Sequence, residues 1–421
     1  MQLEPPKRLS ALRSRLGAAA GALLALGVPA AAQAGGGATW EVDAASLYYS
    51  ERGRTRVFEP FVRATRLFAD GQSLSAKLAI DTMTGATPTG ALPSGQVHTT
   101  TTPSGHVSTS TGAQIPLTRF RDTRHSVDLD WSRPIAGTLT SALGGHFSRE
   151  KDYRSLGWNE KLSVDCMHRL TTLTAGVGMN HDRIFPVGGT HVGLTDGSAI
   201  LRTGADFKES SSWLVGVSRI LTRRWMMSVN GSRSRERGYL TEPYKVVSLE
   251  DPVSGTPRAQ VTEKRPSRRQ RSDLLTSSVY HFTDDVLYLS HRYYGDDWGI
   301  RSQTVDVKYR HELENNRYIQ PHVRYYTQTP ADFFTSGLKI GAPLPPFASA
   351  DYRLGPLRSL TIGATYGFHL PTAPGEVSVR GEYIRQSGAG RPSEAVGVQS
   401  QLDLMPPIGI TTLVVAYSVE F

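Results

Sequence analysis

Charged residues recurring at alternate positions are the most chemically suggestive feature of this 421-residue chain. Lys77 with Asp81, Asp128 with Asp130, Asp165, Asp306 with Lys308 and Arg310, Arg324, and Arg380 with Glu382 all lie in short runs where polar and apolar residues alternate. Side chains of both signs on one face of an extended chain can line a watery passage and discriminate between ions. They can equally close that passage as a salt-bridged plug, and the pattern fits both. A second candidate is the acidic pair Asp296 and Asp297 in "YYGDDWGIRS" (293–302), which could hold a cation. A tight Gly-Asp-Asp turn accounts for the same residues without a ligand and is the favoured reading.

Enzymatic chemistry finds no support. The sequence has no G-x-S-x-G, no H-E-x-x-H, no paired-cysteine zinc spacing, no P-loop and no complete dinucleotide fingerprint, so no cofactor or metal is called for. The 12 histidines are scattered, and a lone one such as His322 reads as a polar lumen or surface residue. Asn230-Gly231-Ser232 matches a glycosylation sequon but falls mid-strand. Cys166 is the single cysteine, which excludes an intrachain disulfide, and its apolar face marks it as an inert thiol.

The elements that carry these charges read as strands. In "SLSAKLAIDT", Leu74, Ala76, Leu78 and Ile80 share one face; Ser75, Lys77, Ala79 and Asp81 share the other. The same period of two recurs in "RHSVDLDW", "KLSVDCMH", "RWMMSVNGS", "SQTVDVKYRH", "YIQPHVRYY" and "EVSVRGEY". Short turns at 69–71, 134–137, 221–223, 283–285 and 314–316 alternate with long polar loops at roughly 82–118, 182–208, 236–268 and 329–347. Backbone groups in a bilayer have no water to bond, so strands that cross it must close into a barrel. Short periplasmic turns, long extracellular loops and tyrosine and tryptophan near strand ends describe an all-β transmembrane antiparallel barrel of the outer-membrane type.

About 17 segments qualify as strands, and an even number is needed. The doubtful one is "ASADYRLGPLRSL". Placing 347–356 in a loop gives 16; calling it a strand requires another within 395–405 and gives 18. The expectation is 16, within 14–18. The Thr/Ser/Gly/Pro tract from Thr84 to Ala113 reads as a mobile exposed loop, and "PRAQVTEKRPSRRQR" (257–271) as a solvated basic loop, whose arginines could also meet lipopolysaccharide phosphates. At the front, Lys7, Arg8, Arg13 and Arg15 precede an apolar run that closes on Ala32-Gln33-Ala34, the pattern of a secretory signal peptide cleaved after Ala34. Residues 35–421 then form one barrel domain. A formal charge of +9 over the whole chain suits contact with anionic lipid as well as it suits an ordinary surface, and nothing in it points to nucleic acid.

The chain ends "TTLVVAYSVEF", with Leu413, Val415, Tyr417, Val419 and Phe421 on one face. This strand is expected to pair with the first one, near Trp40–Ser50, and remove the barrel's open edge. Tyr417, Val419 and the terminal Phe421 also resemble the signal read by the outer-membrane assembly machinery.

Five stretches carry a wider resemblance: "DTMTGATPTGA" (81–91), "DRIFPVGG" (182–189), "GYLTEPYK" (238–245), "SHRYYGDDWGIRSQT" (290–304) and "QPHVRYYTQTPADFF" (320–334). Together they resemble an uncharacterised bacterial family catalogued as domain of unknown function 3570. The resemblance implies an exported outer-membrane protein. It also implies genes beside periplasmic flavin-transferring enzymes and small lipoproteins, which would be partners of a scaffolding barrel. Two functions stay open at this point, a channel or transport pore with a mixed-charge lumen and a structural barrel serving a periplasmic flavin or redox system. A barrel enzyme acting on lipid has no nucleophile–base pair to support it. The oligomeric state is open.

Overall fold

In a computed structural model, residues 39–94, 97–110, 115–195, 204–371, 373–388, 390 and 395–421 are described. The expected signal peptide lies outside them. Sixteen strands form one closed barrel: β1 (Thr39–Glu51), β2 (Arg56–Leu67), β3 (Ser73–Pro88), β4 (Leu117–Ala136), β5 (Leu139–Arg149), β6 (Tyr153–Cys166), β7 (Thr171–Ile184) and β8 (Asp206–Thr222), then β9 (Trp225–Gly238), β10 (Arg268–His281), β11 (Val286–Asp296), β12 (Arg301–Leu313), β13 (Arg317–Gln328), β14 (Leu357–His369), β15 (Glu376–Gly388) and β16 (Ile408–Glu420). Each pairs antiparallel with its chain neighbours. The last pairs with the first from Glu41↔Glu420 to Glu51↔Ile410, and Trp40 and Phe421 exchange backbone bonds of 2.7 and 2.9 Å. No sheet edge is left within the ring.

The register fixes two faces. Leu74 lies opposite Trp131, and Leu78 opposite Val127; all four are exposed outward. Ser73, Ser75, Ala79 and Asp81, from the intervening positions of β3, are buried inside. The outward surface is therefore apolar because it meets lipid, and the inward surface is polar because a sixteen-stranded ring is too wide for side chains to fill. At the periplasmic rim Arg66 lies 5.6 Å from the Trp40 ring and Arg133 4.8 Å from the Trp131 ring, each guanidinium resting on an interfacial aromatic.

All seven periplasmic connections have six residues or fewer. Two use left-handed backbone on side-chain-bearing residues, Met167–Arg169 and Asn315–Asn316, and asparagine tolerates that conformation best. The expected turn at 134–137 is displaced: Pro134 stays within β4 beside a register shift, and the chain reverses at Gly137-Thr138. The doubtful segment 347–356 is loop with one 3-10 turn, Tyr352–Leu354, and 395–405 holds another, Gly397–Gln401. That is why the count is 16.

The extracellular loops depart from expectation. Of the tract from Thr84, residues to Pro88 belong to β3, His98–Thr101 and Val107–Ser110 form a hairpin, and Thr89, Ala91, Leu92, Thr102 and Ser104 are buried. The basic stretch 257–271 is likewise not a free loop. Pro257–Thr262 pairs with Val246–Glu250, which pairs in turn with Leu338–Lys339. Low-complexity sequence says little about burial when the buried partner is another loop. The described apolar clusters sit in this region, around Trp298, Ile300, Ala331 and Leu354 and around Val247, Val261 and Ala348. Among the described residues the barrel wall has no such core.

One outward residue breaks the pattern. Glu160, exposed at the middle of β6, lies between Leu143 and Val177 in register and between Trp158 and Leu162 along the strand. Replacing Glu160 with leucine is expected to stabilise the barrel by about 1–2 kcal/mol, somewhat less than the cost of a basic residue at the bilayer midplane. The temperature at which the folded band disappears on a heat-modifiability gel measures this. An unchanged or lower transition would put Glu160 out of contact with lipid.

Candidate functional site

The eleven charged residues singled out from the sequence all lie on the inward face, but they do not form one group. Five of them meet at mid-barrel. Arg324 Nε lies 2.7 Å from Asp306, Lys308 Nζ 3.9 Å from Asp306, and Arg380 Nε 3.7 Å from Glu382. The centre of this network is His322. Its Nδ1 is 2.8 Å from Glu382 and its Nε2 2.8 Å from Asp306. Carboxylates only accept, so a ring donating from both nitrogens satisfies the arrangement. Thr412 donates to the other oxygen of Glu382 at 3.3 Å.

His322 and Glu382 belong to strands that are not neighbours. The strand between them offers Gly363 at the shared register, paired with His322 on one side and Glu382 on the other. A Cβ at Gly363 would overlap the Glu382 side chain. The absent side chain is what lets the two groups touch across β14. In the sequence His322 reads as a lone histidine, and Gly363 and Thr412 as ordinary strand residues. The signal was a register, which no single segment of sequence contains.

Across the lumen, on β2 to β6, Lys77 stands between Arg63 and Asp128 in register, and His146 Nδ1 is 2.5 Å from Asp128. Asp130 and Lys161 complete this wall. Overlapping this wall and continuing from it toward the other, β5 to β9 carry a run of glycine–asparagine pairs. Gly144, Gly157 and Gly216 face Asn159, Asn180 and Asn230 on adjoining strands, and a Cβ at any of the three glycines would collide with the paired amide. Each asparagine side chain lies over the glycine opposite it, against the wall. The remaining candidates sit at the ends. Asp81 is bonded by Arg124 at 2.8 Å toward the outside. Asp165 accepts from Thr172 at 2.7 Å, and Arg310 bonds Glu312 at 2.6 Å and stacks over Tyr318, both toward the periplasm. The Asp296–Asp297 pair holds no place for a cation. Asp296 accepts from Arg269, Tyr294 Oη and the backbone of Trp298 and Ile300, and Asp297 from the backbone of Gln270. Among the described residues no group of acids, histidines or cysteine is arranged to hold a metal.

Above the lumen the loops meet over the mouth. Leu92, from the β3–β4 loop, donates to Ser248 of the β9–β10 loop at 2.9 Å, and Val246 donates to Thr89 at 2.9 Å. Lys264 and Ala348 exchange two backbone bonds, and Val398 of the β15–β16 loop donates to Ser254. Loops rooted six strands apart in a ring of sixteen can touch only by crossing the opening, so they form a cap.

A buried ionic cluster holds the cap. Lys245, fully buried, lies 3.7 Å from Asp351; Arg265 reaches Asp351 at 2.9 Å and Glu263 at 2.7 Å; Arg353 reaches Asp351 at 2.6 Å and Glu242 at 3.3 Å. Three cations face three acids. Burial works against every charge here, yet the Lys245, Arg353 and Arg265 cations around Asp351 hold its carboxyl well below the usual range. Burial pushes Glu263 up and Lys245 down. A depressed acid contributes stability above the ordinary carboxylate range and loses it as pH falls toward the depressed value, so Asp351 fastens the cap at neutral pH. Asp351→Asn leaves Lys245 and Arg265 buried with one counter-charge fewer, and should loosen the cap by about 3–5 kcal/mol. External protease should then cut within 239–267 or 329–356 while the barrel stays heat-modifiable; cleavage no faster than in the parent would count against the cluster as the fastening.

Solved structures similar to this one include a ferric enterobactin receptor from Pseudomonas aeruginosa (TM-score 0.45, 10% identity, covering 90% of this chain), the monoaromatic hydrocarbon channel TodX (0.40, 10%, 92%) and OccK5 from Pseudomonas aeruginosa (0.39, 8%, 91%). The matches take in 60%, 91% and 98% of those chains, so this one spans about 60% of the length of the enterobactin receptor. No curated protein matches the sequence. The model of a protein family of unknown function, DUF3570, matches residues 13–419, and the chain belongs to that family.

Proposed function

We propose that this outer-membrane barrel is a transport pore for small charged or zwitterionic solutes, entered from outside past the folded cap. The observation that carries this is the mid-lumen belt, two charged walls facing each other beside a flat amide wall. Water-filled lumens with low-dielectric walls focus the field of their lining charges. Near balance of the two signs favours solutes carrying both over strong selection for one. His322 meets carboxylates at both ring nitrogens, so it has no free nitrogen with which to activate a nucleophile, which speaks against a lumenal hydrolase. A scaffold for periplasmic flavoproteins or lipoproteins would need surface on the periplasmic side, where every connection is a short turn.

Purified protein in planar bilayers should give discrete conductance steps, larger or more frequent in Asp351→Asn; a persistently silent membrane with both proteins would defeat the pore reading. Asp306→Asn with Glu382→Gln should shift the reversal potential in a KCl gradient toward chloride by roughly 1 kcal/mol of relative barrier, about fivefold in permeability ratio. Gly363→Ala, which separates His322 from Glu382 without removing a charge, should alter single-channel conductance and leave the ratio nearly unchanged.

We also propose that Tyr417, Val419 and Phe421, which lie on the outward face at the closing seam, are read by the barrel assembly machinery. Deleting Phe421 should lower the heat-modifiable fraction in outer membranes severalfold, and a normal yield of folded barrel would remove the proposal.

A further inference from the structure

At the extracellular end of β4 to β7, the outward face carries four basic residues in one cross-strand row. His125 pairs with Arg149, Arg149 with Arg154, and Arg154 with Arg183. All four are exposed, and none forms an ion pair with a described acid. Like charges directly opposite on a sheet repel, so such a row is unfavourable unless an anion lies over it. Further round, Arg233, Arg235 and Arg237 project outward from β9, and the acid beside them, Glu209, is bound to Arg237 and His181.

The rows immediately below are apolar on β4 to β6. Val127, Phe147 and Leu156 follow, with His181 of β7 at the end of that row facing Glu209, and then come Leu129, Gly145, Trp158 and Met179. Gly145 would meet nothing within 4 Å if it carried a Cβ, so it marks a groove on the lipid-facing wall between Leu129 and Trp158. Arg154 is six residues from Glu160 at mid-strand, roughly 15 Å along a tilted strand, which places the basic row at the level of the outer headgroups.

We propose that this face is a binding site for a bisphosphorylated glycolipid of the outer leaflet, the lipid A portion of lipopolysaccharide. Guanidinium groups bind phosphate in pairs of parallel hydrogen bonds. Three of them, spaced by single strands about 5 Å apart, extend far enough to engage two phosphates on one headgroup, more than a singly phosphorylated lipid supplies. Acyl chains then lie against Phe147, Leu156 and Trp158, with one chain along the groove at Gly145. The site is separate from the lumen and does not depend on conduction.

The test compares the full protein with the variant Arg149→Gln, Arg154→Gln, Arg183→Gln, and with Arg358→Gln on the opposite outward face as control. Each is extracted in mild detergent, and bound lipid is measured by native mass spectrometry. The parent and the control should retain bisphosphorylated lipid A, and the triple variant should retain about tenfold less. Equal retention by all three, or equal retention of added phosphatidylglycerol and lipid A by the parent, would overturn the proposal. Should the triple variant fail to fold, delipidated parent protein answers the question. Added bisphosphorylated lipid A should raise its unfolding temperature more than monophosphorylated lipid A does, and no difference between the two would also overturn the proposal.

Discussion

Backbone hydrogen bonding in a medium without water is the constraint on which everything else here rests. Each amide between Thr39 and Glu420 that crosses the bilayer must find a partner in the next strand, and the ring must close. The pairing of Trp40 with Phe421 is therefore a structural necessity. Once closure is imposed, side chains have two destinations, and a period of two along the chain becomes a map of inside and outside. Polar residues at half of the strand positions then cost nothing in lipid. This is how a chain with only 38% hydrophobic residues spans a membrane.

The same constraint explains which parts of the molecule were legible in the sequence. In "SLSAKLAIDT" or "SQTVDVKYRH" the environment of a residue depends on its parity alone, so all eleven lumen candidates fall on the inward face. The closing strand and the count of 16 follow from the same local signal, whereas three extracellular connections, 52–55, 150–152 and 297–300, are as short as the periplasmic turns. Burial in the loops is different, because Leu92 is buried by contacts such as Ser248, 156 positions away, and Thr89 by Val246. No periodicity reports that. His322 shows the limit most sharply. Its meaning depends on Asp306, Glu382 and the emptiness of Gly363, on three other strands, and each looks ordinary in its own segment.

The cap and the belt divide the physics of the molecule between them. The cap's Lys245–Asp351–Arg265–Glu263 cluster is buried and is held by low-dielectric pairing that weakens sharply if one member is removed. The belt is only partly buried, and under the proposed pore function its charges would act on whatever enters the lumen more than on the fold. Stability of the wall comes from neither; it comes from the ladder. Changes in the cap should then leave the barrel standing, and changes in the belt should leave the cap shut, so under the proposed pore function gating and selectivity would vary independently on one scaffold.

The outward face obeys a third logic. Lipid tolerates no unpaired charge at mid-depth, which makes Glu160 an anomaly, but the headgroup layer rewards charge that finds phosphate. Basic residues in direct cross-strand register, as at Arg149, Arg154 and Arg183, would repel one another in water and are stabilised beneath a layer of anions. The same residue type is thus costly or favourable according to depth along a single strand. In β6 the distance from Arg154 to Glu160 covers the whole of that change.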